Sequence, residues 1–128
     1  MPAKRILVID DEKNLCTVIK ACLENIGRWQ VLIAESGSEG LTLADNEHPD
    51  AILLDVMMPD IDGLALFNRL QANLATKKIP VILLTAKVQK VDLNEFSRLG
   101  VAGVISKPFD PLRLSDLVAT TLGWQLST

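Results

Sequence analysis

The chain has 128 residues, of which 48% are apolar and 23% are charged, and its formal net charge at neutral pH is −3. This length and balance are typical of one soluble globular domain, here residues 1–128, and they argue against disorder. The acidic net charge offers no basic surface for a nucleic-acid backbone, so we expect no direct nucleic-acid binding.

The apolar runs and the cysteines indicate the cellular compartment. The first run, residues 6–9, ends at two acidic residues and is too short for a signal peptide, and no later run reaches membrane-spanning length. Cys16 and Cys22 lie six residues apart on one predicted helix, so they cannot bridge each other within it. We therefore expect a cytoplasmic protein with reduced cysteines and no membrane association.

The first predicted strand covers residues 5–9 and ends at Asp10 and Asp11. A helix follows and ends at Gly27. It carries one apolar stripe, formed by Leu15, Val18, Ile19, Cys22 and Ile26. The second strand covers residues 29–34, and Ser36 with Glu39 then has the form of a capping box, which predicts the start of the second helix.

The third predicted strand, residues 51–54, is wholly apolar and runs directly into Asp55. Such a run is typical of a strand that is buried on both faces of a parallel sheet. A third helix follows Gly63, with an apolar stripe formed by Leu66, Phe67, Leu70 and Leu74. The fourth strand, residues 80–84, ends at Thr85.

A weak apolar stripe predicts a fourth helix at residues 88–99, and the fifth strand at residues 103–106 is followed by Lys107 and Pro108. Asp110 is expected to cap the last helix, with Pro111 at its first position. The stripe of this helix consists of Leu114, Leu117, Val118 and Leu122. We expect residues 124–128 to be a terminus rather than a linker.

Five strands that alternate with five helices through short loops predict an α/β fold. Its core is a parallel sheet with helices on both faces. The carboxyl ends of parallel strands share one edge, and they form the binding crevice in open α/β sheets. The polar residues that follow the strands are therefore expected to converge at that edge.

The residues at the strand ends predict phosphoryl chemistry. Alone, Asp55 could be a helix cap or a turn residue. Beside Asp10 and Asp11, however, it would form a crowded acidic group, and a hard divalent cation such as Mg²⁺ relieves that repulsion. Lys107 supplies a point positive charge suited to a phosphoryl group, and Thr85 adds a hydroxyl donor. Asp55 is the candidate nucleophile.

With these residues, the chain resembles the receiver domain of two-component response regulators over essentially its whole length. The nearest type is the stand-alone, chemotaxis-regulator-like receiver. The matching segments are residues 10–11, 54–59, 62–63, 84–86 and 107–109. The resemblance implies a flavodoxin-like, doubly wound sheet with strand order 2-1-3-4-5. That order sets the first and third strands side by side, as the acidic group requires.

The resemblance also implies a function, which is a phosphorylation-controlled signalling switch in a phosphorelay rather than an independent enzyme. Asp55 would accept a phosphoryl group from a phosphohistidine on a sensor histidine kinase or a histidine phosphotransfer protein. Mg²⁺ would be bound by Asp11, Asp55 and the backbone carbonyl of Met57, with Asp10 assisting through water. Autodephosphorylation would be slow.

Two further residues have implied roles in this switch. Lys107 would pair with Asp55 at rest and with the phosphoryl oxygens afterwards, and the Lys107–Pro108 peptide would be cis. Thr85 would turn inward to hydrogen-bond the phosphoryl group. The changed surface would be presented to a downstream protein target. A homodimer through the face of the fourth helix, fifth strand and fifth helix is an open alternative.

The chain departs from the family pattern at Val104, where many members have an aromatic side chain that changes rotamer. A β-branched aliphatic residue is stiff and short, so we expect the loop after the fourth strand to carry more of the change. Met57 and Lys87 occupy positions that influence water access to the phosphoryl group. The first helix, with Asn14, Leu15 and Val18, is an expected kinase-docking surface, although it could equally be ordinary helix surface.

Three other functions fit the sequence less well. A receiver-like adaptor that binds partners without phosphorylation is disfavoured because Asp10, Asp11, Asp55, Thr85 and Lys107 are all present. A phosphatase of the haloacid-dehalogenase type would carry a second Asp two residues after the first-strand nucleophile, and Glu12 occupies that position here. A flavodoxin-like FMN-binding protein would need a Ser- and Thr-rich phosphate loop, which the sequence lacks.

Overall fold

A computed structural model describes residues 4–86 and 98–125. Five parallel strands form one sheet in the order β2-β1-β3-β4-β5. The strands are β1 (Arg5–Ile9), β2 (Gln30–Ala34), β3 (Ala51–Asp55), β4 (Val81–Thr85) and β5 (Gly103–Ser106). The predicted fold class and the strand order 2-1-3-4-5 are therefore confirmed.

The register of the sheet aligns the carboxyl ends of its strands. Ile9 at the end of β1 lies opposite Ala34 of β2 and Leu54 of β3. Thr85, the last residue of β4, lies opposite Ser106, the last residue of β5. Residues that follow these strands therefore emerge at one edge, which we call the carboxyl edge.

Side-chain caps begin two of the three helices that follow β1, β2 and β3. These helices are α1 (Lys13–Asn25), α2 (Gly37–Glu47) and α3 (Gly63–Ala72). The hydroxyl of Ser36 accepts the N–H of Glu39 at 3.1 Å, as the capping box predicts. The carboxylate of Asp62 caps α3 by accepting the N–H of Leu64 at 2.7 Å.

The last helix begins differently from the prediction. Asp110 does act as a cap, since its carboxylate accepts the N–H of Leu112 at 3.0 Å. The segment that it caps, however, is a single 3₁₀ turn, Pro111–Arg113, and the C-terminal helix proper is Leu114–Leu122. Gly123 then ends this helix in a left-handed conformation at φ 72°.

Alternation along the strands divides the core into two layers, because successive strand residues face opposite sides. One layer packs Val8, Leu53 and their alternating neighbours against α1 and the C-terminal helix. The other packs Leu7, Leu54 and their neighbours against α2 and α3. Helices therefore cover both faces, as predicted.

Four residues assigned to apolar stripes are exposed instead. The exposed fractions of Val18, Ile26, Leu74 and Leu117 are 41%, 39%, 81% and 43%. Ile26 and Leu74 lie beyond the last residues of α1 and α3, so the helical spacing no longer applies to them. Val18 and Leu117 lie within their helices, at positions that the sheet and its neighbouring helices do not cover.

Part of the prediction lies outside the described residues. Residues 87–97 include Lys87 and most of the predicted fourth helix. Within the residues that are described, no helix has the length and apolar character needed to span a bilayer.

Candidate functional site

The carboxyl edge brings the predicted site residues together. Asp10 follows β1, Asp55 ends β3, Thr85 ends β4 and Lys107 follows β5. Asp10, Asp55 and Thr85 are 0%, 3% and 4% exposed. Buried charged groups require partners, so the contacts of these side chains define what the site can do.

Lys107 is the positive centre of the site. Its Nζ donates to Asp10 Oδ2 at 2.9 Å and lies 3.5 Å from Asp55 Oδ1. A third carboxylate, that of Glu12, lies 3.8 Å from the same nitrogen and is largely exposed. The expected resting pair of Lys107 and Asp55 is present, but the shorter contact is with Asp10.

Asp10 is held by protein groups on both oxygens. Its Oδ1 accepts the N–H of Glu12 at 3.0 Å, while Oδ2 accepts from Lys107. Its backbone carbonyl accepts the thiol of the buried Cys16 at 3.2 Å, and its N–H donates to the carbonyl of Ala34 at 3.0 Å. Asp10 is therefore held in place by hydrogen bonds on both oxygens, one of them from the Lys107 ammonium.

Asp55 has the more perturbed environment. Its Oδ1 accepts the N–H of Met57 at 3.1 Å. Burial is the main cause that raises the pKa of Asp55 from its ordinary value of 3.8 to about 6, and the charge of Asp10 adds to it, whereas the Met57 N–H and Lys107 oppose it. Asp55 is consequently ionised at neutral pH, but in a setting that disfavours its charge.

The acidic residues also affect the ionisation of Lys107 and Cys16. Burial alone would lower the pKa of Lys107, but its hydrogen bond to Asp10 and the charges of Asp10, Asp55 and Glu12 raise it overall. The lysine therefore remains a cation. Burial, followed by the charge of Asp10, raises the pKa of the Cys16 thiol to about 12, so this thiol stays protonated.

The carboxylates fit a hard divalent cation. One oxygen each from Asp10, Asp11 and Asp55 lies within 4.8 Å of the others, and Asp11 is exposed whereas the other two are buried. Carboxylate oxygens are the ligands that Mg²⁺ prefers, and Mg²⁺ keeps some of its waters. Both oxygens of Asp10 already accept hydrogen bonds, from the Glu12 N–H and from Lys107, whereas Asp55 is engaged through Oδ1 and Asp11 is exposed.

Asp55 is reached through a small opening. A cavity of about 180 Å³ is bordered by Glu12, Asp55, Met57, Thr85, Ala86 and Lys107. The carboxylate is thus shielded from bulk water but faces space that a small group could enter. The backbone carbonyl of Thr85 accepts the N–H of Lys107 at 2.8 Å, which connects the ends of β4 and β5.

Two grooves lie near the site. The first, of about 370 Å³, runs beside α1 past Leu15, Val18 and Phe109. The second, of about 350 Å³, includes Val104 and Leu117 and lies along β5 and the C-terminal helix. The Lys107–Pro108 peptide between the grooves is cis, which confirms the prediction.

Two further acidic residues, to which the sequence pattern assigns no role, make contacts at or near the site. Glu12 faces Lys107, and its position directly after Asp10 and Asp11 was a signal that could have identified it. Asp60 binds two backbone N–H groups of α2, at Gly37 and Ser38. No sequence spacing identifies that contact, because 23 and 22 residues separate Asp60 from its partners.

Known proteins share both the sequence pattern and the fold. Residues 6–119 match the family described as the response regulator receiver domain. The chain is 39% identical over 106 residues to the protein PilH of Pseudomonas aeruginosa, covering 83% of this chain and 87% of PilH. It is 36% identical over 119 residues to PhoP of Bacillus subtilis, a transcriptional regulatory protein of alkaline phosphatase synthesis.

Coverage differs between these relatives. The match to PhoP spans 93% of this chain but only 48% of PhoP, about half its length. Among solved structures, the chemotaxis response regulator CheY4 of Vibrio cholerae superposes with a TM-score of 0.86, covering 93% of this chain and 98% of CheY4. Its sequence identity of 24% supports the shared fold alone.

Proposed function

Because this chain belongs to the response regulator receiver domain family, we propose that Asp55 is the phosphoacceptor of its phosphorylation-controlled switch. Receiver domains interact with sensor kinases and downstream targets in two-component systems. For this chain, the proposed donor is a phosphohistidine on a sensor histidine kinase or a histidine phosphotransfer protein. We further propose that the chain acts on no other substrate and that it loses its phosphoryl group slowly by its own catalysis.

The proposed transfer needs only the ionised carboxylate as nucleophile. An oxygen of Asp55 attacks the phosphorus, a phosphorus–oxygen bond forms, and the phosphorus–nitrogen bond of the donor breaks. The electron pair of that bond remains on the imidazole nitrogen, which regenerates the donor histidine. Asp55 becomes an acyl phosphate. Such a reaction depends on positioning and electrostatic stabilisation rather than on a protein base.

The proposed metal ligands are Asp11, Asp55 and the backbone carbonyl of Met57, with Asp10 acting through water. The fit of the donor set supports this assignment, since the carboxylate oxygens are clustered and Asp11 is open to solvent. Bound Mg²⁺ would supply positive charge against the phosphoryl oxygens and against the crowded carboxylates. Asp10, which accepts a hydrogen bond from Lys107, would hold the lysine in place.

Lys107 and Thr85 have proposed roles after transfer. The Lys107 ammonium lies 3.5 Å from Asp55 Oδ1, so it can contact a phosphoryl group on that residue with little movement. Thr85 borders the same cavity and would hydrogen-bond the phosphoryl group. The backbone bond between Thr85 and Lys107 would link the two responses.

Two grooves are the proposed partner surfaces. The groove beside α1, with Leu15, Val18 and Phe109, borders the Asp55 cavity at Glu12 and Lys107 and would receive the donor protein. The groove along β5 and the C-terminal helix belongs to the face proposed for a downstream target or a homodimer. The free thiols of Cys16 and Cys22 are in keeping with a cytoplasmic location.

One observation carries the proposal most directly. It is the buried Asp55 carboxylate beside Lys107, within a group of three carboxylate residues and facing a cavity. The test is incubation with acetyl phosphate and Mg²⁺, followed by intact-mass measurement of the wild type and Asp55→Asn. We expect one phosphate adduct on the wild type, none on the variant, and none on either in EDTA. An unmodified wild type would favour the adaptor function instead.

A further inference from the structure

We propose that Asp60 is a positioning residue for metal binding, because it ties the loop that carries Met57 to the start of α2. This inference rests on the proposed function, in which the Met57 carbonyl is a metal ligand. Asp60 lies in the loop of residues 56–62 between β3 and α3, three positions after Met57. Its carboxylate binds α2 rather than the clustered side chains of Asp10, Asp11 and Asp55.

The Asp60 carboxylate binds α2 with both oxygens. Its Oδ1 accepts the N–H of Gly37 at 3.1 Å, and its Oδ2 accepts the N–H of Ser38 at 3.3 Å. These N–H groups lie in the first turn of α2, where no partner exists within the helix and the helix dipole favours negative charge. The hydrogen bond from Gly37, followed by that from Ser38, lowers the pKa of Asp60, so the carboxylate is ionised at neutral pH.

The packing beside this contact brings the loop close to α2. A Cβ added at Gly37 would collide with Cγ2 of Ile61, the residue after Asp60. Glycine at this position therefore lets the loop lie directly against the helix. The Asp60 bonds and the Ile61 contact act on adjacent residues and hold the same segment.

The remaining loop contacts extend this restraint to the site. The N–H of Met57 donates to Asp55 Oδ1 at 3.1 Å, and the N–H of Gly63 donates to the carbonyl of Val56 at 2.9 Å. The loop is thus fixed at both ends, and Asp60 fixes its middle against a separate helix. Without Asp60, we expect the Met57 backbone to sample more conformations and to be less well placed for a cation.

The test compares Asp60→Ala and Asp60→Asn with a matched control, Asp50→Asn. Asp50 is also an exposed aspartate whose carboxylate accepts a backbone N–H, that of Arg5 at 2.8 Å, but it lies at the opposite edge of the sheet. Calorimetric titration with Mg²⁺ alone would measure affinity in each unphosphorylated protein. Amide exchange at Gly37 and Ser38 would measure whether the contact to α2 has been lost.

We expect Asp60→Ala to weaken Mg²⁺ binding about threefold to tenfold, less than the roughly tenfold to hundredfold loss for residues that hydrogen-bond a metal ligand directly. Asp60→Asn keeps one acceptor oxygen and should fall between Asp60→Ala and the wild type, while Asp50→Asn should match the wild type. Exchange at Gly37 and Ser38 should accelerate in Asp60→Ala. With acetyl phosphate, half-saturation should move to higher Mg²⁺ while the maximal rate stays within about twofold of the wild type, since no ligand has been removed.

Unchanged Mg²⁺ affinity in Asp60→Ala, or equal weakening in Asp50→Asn, would overturn the inference. So would a lower maximal rate with unchanged half-saturation. These outcomes differ from a failure of the proposed function, in which the wild type itself would not be phosphorylated at Asp55.

Discussion

The two ends of β1 carry ion pairs of nearly equal length in very different surroundings. At the amino edge of the sheet, Arg5 Nη2 lies 2.8 Å from Glu47 Oε1, with side chains 32% and 42% exposed. At the carboxyl edge, Lys107 Nζ lies 2.9 Å from Asp10 Oδ2, with side chains 14% and 0% exposed. Distance alone therefore does not distinguish the two pairs.

The surroundings distinguish the Arg5–Glu47 pair, which has a structural role only, from the Lys107–Asp10 pair, which belongs to the candidate site. The Arg5 guanidinium pairs with the Glu47 carboxylate and also donates to the Glu47 carbonyl, and water screens this ion pair. Lys107 faces three carboxylates, two of them buried. Excess buried negative charge is unfavourable for folding, and it leaves the carboxyl edge able to bind a cation.

The largest predicted effect on stability comes from removing the positive charge of Lys107. Lys107→Met leaves Asp10 and Asp55 without their positive partner, so we expect a loss of about 3 kcal/mol in unfolding free energy at pH 7 without Mg²⁺. Urea unfolding measures this, and added Mg²⁺ should restore part of the loss. Lys107→Arg, which keeps the charge, is the control. A loss below about 1 kcal/mol, the range of an exposed pair, would contradict the comparison.

The next largest effect is a gain in stability, expected for Asp55→Asn. Because burial raises the pKa of Asp55 from 3.8 to about 6, ionisation of this group costs the folded state stability at pH 7. Asp55→Asn removes that cost, so we expect the variant to be more stable by about 2–3 kcal/mol at pH 7 without Mg²⁺. Thermal or urea unfolding of both proteins measures the difference.

The stability gain of Asp55→Asn should depend on pH. Above about pH 6 the carboxyl is ionised in both the folded and the unfolded states, and the full cost applies. Between pH 6 and pH 4, Asp55 is protonated to a greater extent in the folded state than in the unfolded state. The stability gain of Asp55→Asn should therefore fall to roughly half at pH 5 and become small at pH 4. A gain that does not change with pH would mean that packing, rather than charge, separates the variant from the wild type.

The smallest predicted effect on stability comes from a substitution at the amino edge of the sheet. Arg5→Gln removes an exposed pair, and we expect a loss of about 0.5 kcal/mol in unfolding free energy, diminished further by salt. Urea unfolding at low and high salt measures it. If this loss equalled that of Lys107→Met, exposure would not be the property that separates the two edges.

Much of the fold was predictable because its signals are local. The strands are short apolar runs, and the caps formed by Ser36 and Asp110 involve residues two or three positions away. The parallel topology then places Asp10, Asp55, Thr85 and Lys107 at one edge without further information. The exposure of Val18 and Leu117 was not predictable, because it depends on which other elements cover each helix.

The finer geometry of the site depends on distant contacts. The shorter bond of Lys107 to Asp10 joins residues 97 apart, and the charges alone do not decide which carboxylate lies nearer. The bonds from Asp60 to α2 are similar, since a Pro-Asp turn in the sequence gives no indication that a helix start lies against it. The sequence predicted which side chains gather at the carboxyl edge, whereas three-dimensional packing decided which partners each group has.

Phosphorylation is proposed for Asp55 alone among the three clustered carboxylates. Borohydride reduces an acyl phosphate to an alcohol, so phosphorylation with acetyl phosphate and Mg²⁺, reduction, and peptide mapping will identify the modified position. We predict that residue 55 alone is converted to homoserine, and that the conversion disappears in EDTA. Conversion at Asp10 or Asp11, with residue 55 unmodified, would contradict the proposal that Asp55 is the phosphoacceptor.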